Sequence, residues 1–402
     1  MRDQRTGIGE MGGSIDAVRL GNAFAPSAVL VADLVADFGV ACAIPPRFRL
    51  PPSRPSRHMN DIRGKPLSRI ESRAPRGGED AVSAATDPWR LTQSQRHAEN
   101  DARDETLFAL ANGVIGVRGS IEESPSPTQG TFIADVWERS PIHYHERHHG
   151  FARATDTRVP VADATAILIH LDGAPVDPLH GHGLSFERSL AMREGKLSRK
   201  TRWRTPQDQT LEVHAERIVT LAHPGLVCLR WTLRSVDCRG ALQIQSCVTG
   251  NRIAAAQGDD PRFGAGSGLA MRITATSANS RVASVAQRTH ASGIGVVCAQ
   301  RHRVRGAEFT DAHTDENSAC QVFAATLEPG AEITVEKYIA YRWTEPHASD
   351  SDARMLDDAT ALLDDAMASG FDALASAQAD AFAAFWANAD LAIDGSDDAR
   401  RD

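Results

Sequence analysis

A period-two alternation of apolar and polar residues runs from about residue 105 to residue 343. The apolar members of four such runs are Leu211, Val213 and Ala215; Leu229, Trp231 and Leu233; Leu242 and Ile244; and Leu269, Met271 and Ile273. Alternation of this kind places one face of a β-strand in a core and the other in solvent. Turn signals such as Asp172-Gly173 and Pro329-Gly330 separate the runs, and no helical pattern intervenes. The pattern predicts antiparallel sheets stacked as a large β-sandwich.

After Trp343 the hydrophobic period becomes that of an α-helix. The first apolar face includes Met355, Leu356, Ala359, Leu362, Leu363 and Ala366, and after Gly370 a second stripe is formed by Phe371, Leu374, Gln378, Phe382 and Phe385. The predicted fold class is therefore mainly β, a large antiparallel super-β-sandwich followed by a two-helix linker.

The first 85 residues have a different composition from the rest. Prolines are frequent there, and nine basic residues lie between Arg47 and Arg76. Such a segment buries too little apolar surface to offset its ordering entropy. We expect residues 1–85 to be a disordered extension, with Met59 as one alternative start. A basic arm for an anionic partner is the other interpretation.

Overall charge and hydropathy exclude two classes of partner. Asp and Glu number 52 against 44 Lys and Arg, so the net charge of −8 argues against nucleic-acid binding. No run approaches the roughly 20 apolar residues that cross a bilayer. The best candidate, residues 26–44, contains Asp33 and Asp37 and lacks a convincing cleavage site, so we expect neither a membrane anchor nor a signal peptide.

The six cysteines show no Cys-x-x-Cys spacing; they are Cys42, Cys228, Cys238, Cys247, Cys298 and Cys320. In a chain of this length, scattered cysteines predict buried thiols rather than a disulfide framework or a zinc site. The same reasoning predicts a cytoplasmic location.

One segment satisfies the zinc-protease pattern H-E-x-x-H, from His145 to His149 through Glu146 and His148. The pattern needs a helix, so that two histidines lie one turn apart with Glu as the base. Pro141, Gly150 and the non-amphipathic flanks argue against a helix, so a zinc metalloprotease is a remote alternative. A polar loop containing His143, His145, His148 and His149 is the favoured interpretation, with no bound metal.

No catalytic residues can be assigned from spacing. The glycine-rich segment 264–268 does not follow a strand and open a helix, so it does not predict a phosphate cradle. No Gly-x-Ser-x-Gly elbow is present, and no two carboxylates can be paired as acid and base.

Several motifs in order give the chain a specific resemblance. They are residues 105–119 (ETLFALANGVIGVRG), Glu122-Glu123, 130–134 (GTFIA), 171–173 (LDG), 190–199 (LAMREGKLSR) with Trp203, 217–221 (RIVTL), 336–338 (EKY), 385–386 (FW) and 390–395 (DLAIDG). This series resembles the N-terminal part of glycoside hydrolase family 65, which contains the maltose, trehalose and kojibiose phosphorylases and related hydrolases. Residues 141–152 are most similar to the trehalose and kojibiose branch.

The resemblance implies a domain division. Residues 86–345 would be the family's N-terminal β-sandwich, 346–388 its helical linker, and 389–402 the truncated start of an (α/α)6 catalytic barrel, although Ser396 stands where Asp is usual after glycine. In the family, the general acid and the phosphate-binding residues lie in that barrel. We expect Glu105, Arg118 and Asp172 to have structural roles, since buried charges in such motifs are usually paired.

The function implied is that of a non-catalytic portion of an inverting disaccharide phosphorylase or hydrolase, inactive alone. Inorganic phosphate would be the co-substrate, with no other cofactor. The partners would be an α-linked disaccharide and an (α/α)6 catalytic barrel, which lies on a separate chain if the enzyme is split. A truncated gene product is the alternative to a split enzyme. A homodimer is a further possible assembly. Candidate sugar contacts in the neighbouring domain's site are His143, Tyr144, His145, Glu146 and His149. The alternative is a stand-alone carbohydrate-binding module, which needs exposed aromatic residues such as Trp137, Tyr144 or Trp203.

Overall fold

The computed structural model describes residues 82–84, 87–124, 130–142, 144, 146, 148–179, 181–251 and 271–389. The predicted extension over 1–85 lies outside these residues except for strand Val82–Ala84, and the predicted start of a barrel at 389–402 lies outside them except for Ala389. The division into domains therefore stays a prediction at both ends.

Nineteen strands and three α-helices make up the described part of the chain. The strands are β1 (Val82–Ala84), β2 (Arg90–Gln93), β3 (Leu110–Ala111), β4 (Ile115–Val117), β5 (Thr131–Pro141), β6 (Ala154–Pro160), β7 (Ile167–Leu171), β8 (Ala174–Pro175), β9 (His182–Ala191), β10 (Lys196–Arg204), β11 (Thr210–Val219), β12 (Leu226–Ser235), β13 (Gly240–Thr249), β14 (Arg272–Ala278), β15 (Ala283–Arg288), β16 (Gly295–Arg305), β17 (Glu308–Thr314), β18 (Ser318–Leu327) and β19 (Glu332–Trp343). The helices are α1 (Asp101–Leu107), α2 (Asp352–Ser369) and α3 (Phe371–Ala389), and a short 3-10 turn (Ala98–Asn100) precedes α1.

The strands form three antiparallel sheets. A ten-stranded sheet has the order β1-β2-β9-β10-β11-β12-β19-β16-β15-β14. Opposite it lie a five-stranded sheet, β17-β18-β13-β7-β8, and a four-stranded sheet, β3-β4-β5-β6. The layers share two apolar clusters, one with the five-stranded sheet around Trp203, Trp231 and Ile244, the other with the four-stranded sheet around Phe108 and Ile133.

The alternation in sequence decides which side of each strand meets this core. In the β10–β11 pair, Trp203 lies opposite Leu211 and Thr201 opposite Val213, and these side chains point into the sandwich. The intervening residues, such as Arg202 opposite Glu212, lie on the other side of the sheet. Because strand side chains alternate, a one-residue slip would exchange the two faces.

Helices α2 and α3 cover part of the outer face of the ten-stranded sheet, the face turned away from the sandwich core. Ala359, Leu363 and Phe371 pack there against strand residues including Cys228 and Tyr338. The Ser351 hydroxyl caps α2 by accepting a hydrogen bond from the Arg354 backbone N–H at 3.2 Å. Gly370, at φ 81°, separates the two helices. The predicted sandwich with two C-terminal helices is confirmed.

The prediction for the cysteines is correct for three of them and wrong for two. Cys228, Cys238 and Cys298 are buried free thiols. Cys247 and Cys320 form a disulfide instead, because the β13–β18 register places them directly opposite each other with their Cα atoms 4.1 Å apart. The 73 residues between them hide this pairing in the sequence. Cys42 lies outside the described residues.

The helices of the described chain are also too short or too polar to span a bilayer.

Candidate functional site

The family-like motifs meet in a buried ionic cluster between the two layers. Arg199 Nη2 lies 2.8 Å from Glu122 Oε2 and 2.7 Å from Glu123 Oε2, and Arg217 Nη2 donates to Glu122 Oε1 at 2.5 Å. Trp231 Nε1 donates to Glu123 Oε1, also at 2.5 Å. All of these side chains are almost completely buried.

Electrostatics hold this cluster in its ionised form. Burial opposes the charge on Glu122, but Arg217 and Arg199 outweigh it and lower the pKa of that carboxyl to about 2. Burial also lowers the pKa of the neighbouring Arg188 to about 10. Arg118 pairs with Glu105 at 3.3 Å, and the Asp172 carboxylate accepts the Ala241 backbone N–H at 2.8 Å. The structural roles predicted for Glu105, Arg118 and Asp172 agree with these contacts.

Lys337, from the 336–338 motif, is a second buried charged group. It has no exposed surface, and its Nζ donates to the Ala166 carbonyl at 3.0 Å. Burial lowers the pKa of its ammonium to about 7, although the charge of Asp163 opposes the change. Because neither it nor the Glu122 cluster reaches solvent, we assign both to the interior of the sandwich and not to a ligand site.

The sequence-predicted sugar contacts fall in the β5–β6 loop, residues 142–153. His143 and His145 lie outside the described residues. The rings of Tyr144 and Phe151 are in contact at a tilt of 54° with their centroids 4.9 Å apart; Phe151 is 48% exposed and Tyr144 is half-buried. Glu146 and His149 are exposed, and Glu146 Oε2 lies 3.4 Å from His148 Nε2. The loop thus presents two aromatic rings and polar groups to solvent.

The described part of this segment does not have the helical form that a zinc protease needs: it is a loop at Tyr144, Glu146 and 148–153. Among the described residues, no group of three or more His, Cys, Asp or Glu side chains is placed to hold a metal ion. Trp203, one aromatic considered for sugar stacking, is completely buried in the core.

A polar groove of about 910 Å³ lies on the outer face of the ten-stranded sheet, beside α3. Its floor is formed by β9–β12, β19 and the end of β16, and Ser94 and Asp372 lie at its margins. Near the bottom, Glu216 is bonded by Arg230 at 2.5 and 2.8 Å. Burial lowers the pKa of His214 below its ordinary 6.5, so this imidazole is mostly neutral at pH 7.

Sequence reasoning identified several groove residues only as the polar half of an alternation. Glu212, His214 and Glu216 are the polar members of the alternation that begins at Leu211, and they lie on the outer face of β11, where Glu216 is buried beneath its partners. What the sequence lacked was the strand order. That order brings β9, β10, β11, β12 and β19 side by side, so their polar residues converge into one groove.

Comparison with known proteins identifies the fold and the family. Residues 91–385 match the model of "Glycosyl hydrolase family 65, N-terminal domain". An uncharacterized glycosyl hydrolase of Mycobacterium leprae is 28% identical over 318 residues, which cover 78% of this chain and 40% of the relative. The alpha,alpha-trehalose phosphorylase of Thermoanaerobacter brockii is 31% identical over 261 residues, covering 63% of this chain and 34% of the relative.

A solved structure from the human microbiome, to which kojibiose phosphorylase activity is ascribed, superposes with a TM-score of 0.66 at 17% identity. It covers 76% of this chain and 39% of the other, and at that identity the similarity concerns the fold alone. This chain thus spans about 40% of the length of the mycobacterial relative. Since the family model matches most of the chain, the protein belongs to glycosyl hydrolase family 65 through the N-terminal domain of that family.

Proposed function

We propose that this chain is the non-catalytic sandwich and linker portion of a disaccharide phosphorylase or hydrolase of the trehalose/kojibiose type. The observation that carries the proposal is the match of residues 91–385 to a domain that is the N-terminal part of longer proteins. The buried cluster of Glu122, Glu123, Arg199 and Arg217 supports it, because these charged groups of the family-like motifs pair with one another inside the sandwich.

The proposed partner is an (α/α)6 catalytic domain, carried on a separate chain if the enzyme is split. Its substrate is an α-linked disaccharide, with inorganic phosphate as co-substrate for a phosphorylase. An inverting reaction needs an acid on the leaving oxygen and a nucleophile on the opposite face of the sugar, and we assign both tasks to the barrel.

We place the β5–β6 loop at the sugar-binding end of that assembly. Tyr144 would stack on a sugar ring, and His143, His145, Glu146 and His149 would bond its hydroxyls. The exposure of Phe151 and Glu146 supports this role, because both groups can reach a ligand without unfolding the sandwich.

The test is complementation. The purified chain is assayed with trehalose, kojibiose and maltose in phosphate, alone and with the separately expressed barrel of a family 65 phosphorylase. We expect no glucose 1-phosphate from the chain alone and activity above that of the barrel alone when the two are mixed. Turnover by the chain alone, or no gain on mixing with barrels from all three specificities, would contradict the proposal.

The loop is tested in the active mixture. Tyr144→Ala should raise KM for the disaccharide by about 3- to 10-fold, the worth of one aromatic contact, with little change in kcat. Phe309→Ala, at an exposed aromatic residue on edge strand β17 far from the loop in sequence, is the control. Saturable disaccharide binding at the loop without any barrel would instead favour the carbohydrate-binding module.

A cytoplasmic location and a homodimer also stay predictions. The disulfide between Cys247 and Cys320 weighs against the location, since disulfides persist mainly in oxidising compartments. Thiol counting on protein released from cells into an alkylating agent, and light scattering of the purified chain, test the two predictions separately.

A further inference from the structure

The polar groove on the outer face of the ten-stranded sheet takes no part in the proposed function. Its volume of about 910 Å³ lies within the range of small-molecule sites, roughly 300–1,000 Å³. Helices α2 and α3 cover the neighbouring part of the same face. Of their residues, only Asp372 of α3 lines the groove.

Strand register arranges the groove in rows of hydrogen-bonding groups. One row runs across four strands as Arg202, Glu212, Arg234 and Glu332. The next row contains Lys200, His214, Thr232 and Thr334. Adjacent strands are about 4.8 Å apart, so donors and acceptors alternate at that spacing over the floor.

The charges in the groove are nearly balanced, and more than half of them are engaged in ion pairs. Five Lys and Arg side chains and six Asp and Glu side chains line it. Glu212 lies within 3.4 Å of Arg202 and 3.5 Å of Arg234. A strongly charged ligand would have to break such ion pairs, and the groove has no large excess of the opposite charge to compensate for that loss. A neutral ligand can form hydrogen bonds to the paired side chains without breaking the pairs.

A ligand suited to this surface must be neutral and must both donate and accept hydrogen bonds at closely repeated positions. Hydroxyl groups do both. We propose that the polar groove binds a neutral saccharide of two or more rings, at a site separate from the β5–β6 loop.

The experiment uses the full chain in titrations followed by backbone amide NMR. The probes are trehalose, kojibiose and maltose, with glycerol as a small polyol and glucose 1-phosphate as a charged sugar. The groove variants are Thr232→Val and Lys200→Met, which remove one hydroxyl and one ammonium while largely preserving volume. The matched control is Thr274→Val on β14, an exposed threonine at the far edge of the same sheet.

We expect saturable binding of at least one disaccharide, with shifts centred on β10–β12. Each groove variant should weaken this binding by about fivefold, in the range for loss of one hydrogen bond, and Thr274→Val should not. Absence of saturable binding, stronger binding of glucose 1-phosphate, or affinity unchanged in both groove variants would overturn the proposal. Shifts confined to the β5–β6 loop and lost in Tyr144→Ala would overturn it too, and would favour the carbohydrate-binding module. Absence of all binding would overturn the groove proposal alone, because the proposed function is tested by the complementation assay.

Discussion

Lys337 is a cation buried inside the sandwich, and its effect on stability depends on pH. Its pKa is about 7 in the folded protein, against about 10.4 in an unfolded chain. Between these values the unfolded chain binds a proton that the folded protein has lost, so this residue makes stability rise with pH. Below about pH 7 both states are protonated, and the full cost of burying the charge is present.

We therefore expect Lys337→Met to stabilise the protein relative to wild type most strongly at about pH 6, by on the order of 2–3 kcal/mol after loss of the bond to the Ala166 carbonyl. The advantage should shrink as the pH approaches 9. Urea unfolding of both proteins across this pH range measures the difference between their free energies of unfolding. The buried thiols contribute equally to both proteins, so their contribution cancels in this difference. A difference independent of pH would show that Lys337 is not buried as a titrating group.

Glu122 illustrates the opposite case, a buried carboxylate held ionised by two arginines. Glu122→Gln leaves Arg199 and Arg217 with less compensation, so we expect a loss of about 3–5 kcal/mol in the free energy of unfolding at pH 7. Because the folded pKa is about 2, the wild-type contribution is complete above about pH 4.5 and is lost as the pH falls toward 2. The exposed Glu316→Gln is the control, and an equal effect of both substitutions would refute this assignment.

At the scale of elements, the disulfide joins two neighbouring strands of the five-stranded sheet. Reduction by a dithiol should expose two additional thiols and lower stability by about 2–4 kcal/mol. Thermal unfolding with and without the dithiol measures the loss, and the Cys247→Ala/Cys320→Ala protein serves as the control because it should not respond. An unchanged thiol count after reduction would mean that the two cysteines are not bonded.

Helix α3 is fastened to β11 by one polar side chain in its apolar stripe. Gln378 Nε2 donates to the Val219 carbonyl and its Oε1 accepts the Leu221 N–H, both at 2.9 Å. Gln378→Leu should cost about 1–3 kcal/mol, since it leaves buried backbone groups without partners. Hydrogen exchange should accelerate at Leu221 and in α3. Gln243→Leu, on an exposed position of β13, should leave α3 exchange unchanged.

These elements show which features of the fold could be predicted from the sequence and which could not. The alternation in β11–β13 predicted which apolar side chains are buried, because strand periodicity depends only on local order. The stripe containing Gln378 predicted the contact face of α3 but not its hydrogen bonds to β11, which arise from residues more than 150 positions away. The disulfide and the polar groove were missed for the same reason: both depend on which strands are neighbours.

In the whole molecule, the linker helices and the sandwich share a continuous apolar contact. Ala359, Leu363 and Phe371 pack on Cys228 and Tyr338 of the sheet. We expect α2 and α3 to unfold together with the sandwich, in one transition seen equally by far-ultraviolet circular dichroism and tryptophan fluorescence. Two separated transitions, with helical signal lost first, would show instead that the linker is an independent unit.

Helix α3 also has a mechanical consequence. Near its start, the Phe371 ring centroid lies 4.5 Å from the Arg230 guanidinium on β12. Near its end, Trp386 Nε1 donates to the Met192 carbonyl, directly after β9, at 3.2 Å. A helix of 19 residues is about 28 Å long, so it is a rigid brace held at both ends. A rotation imposed on the chain at Ala389 would therefore be transmitted through α3 to the whole sandwich. The helix and the sandwich would then move together as one rigid body, without bending at the helix.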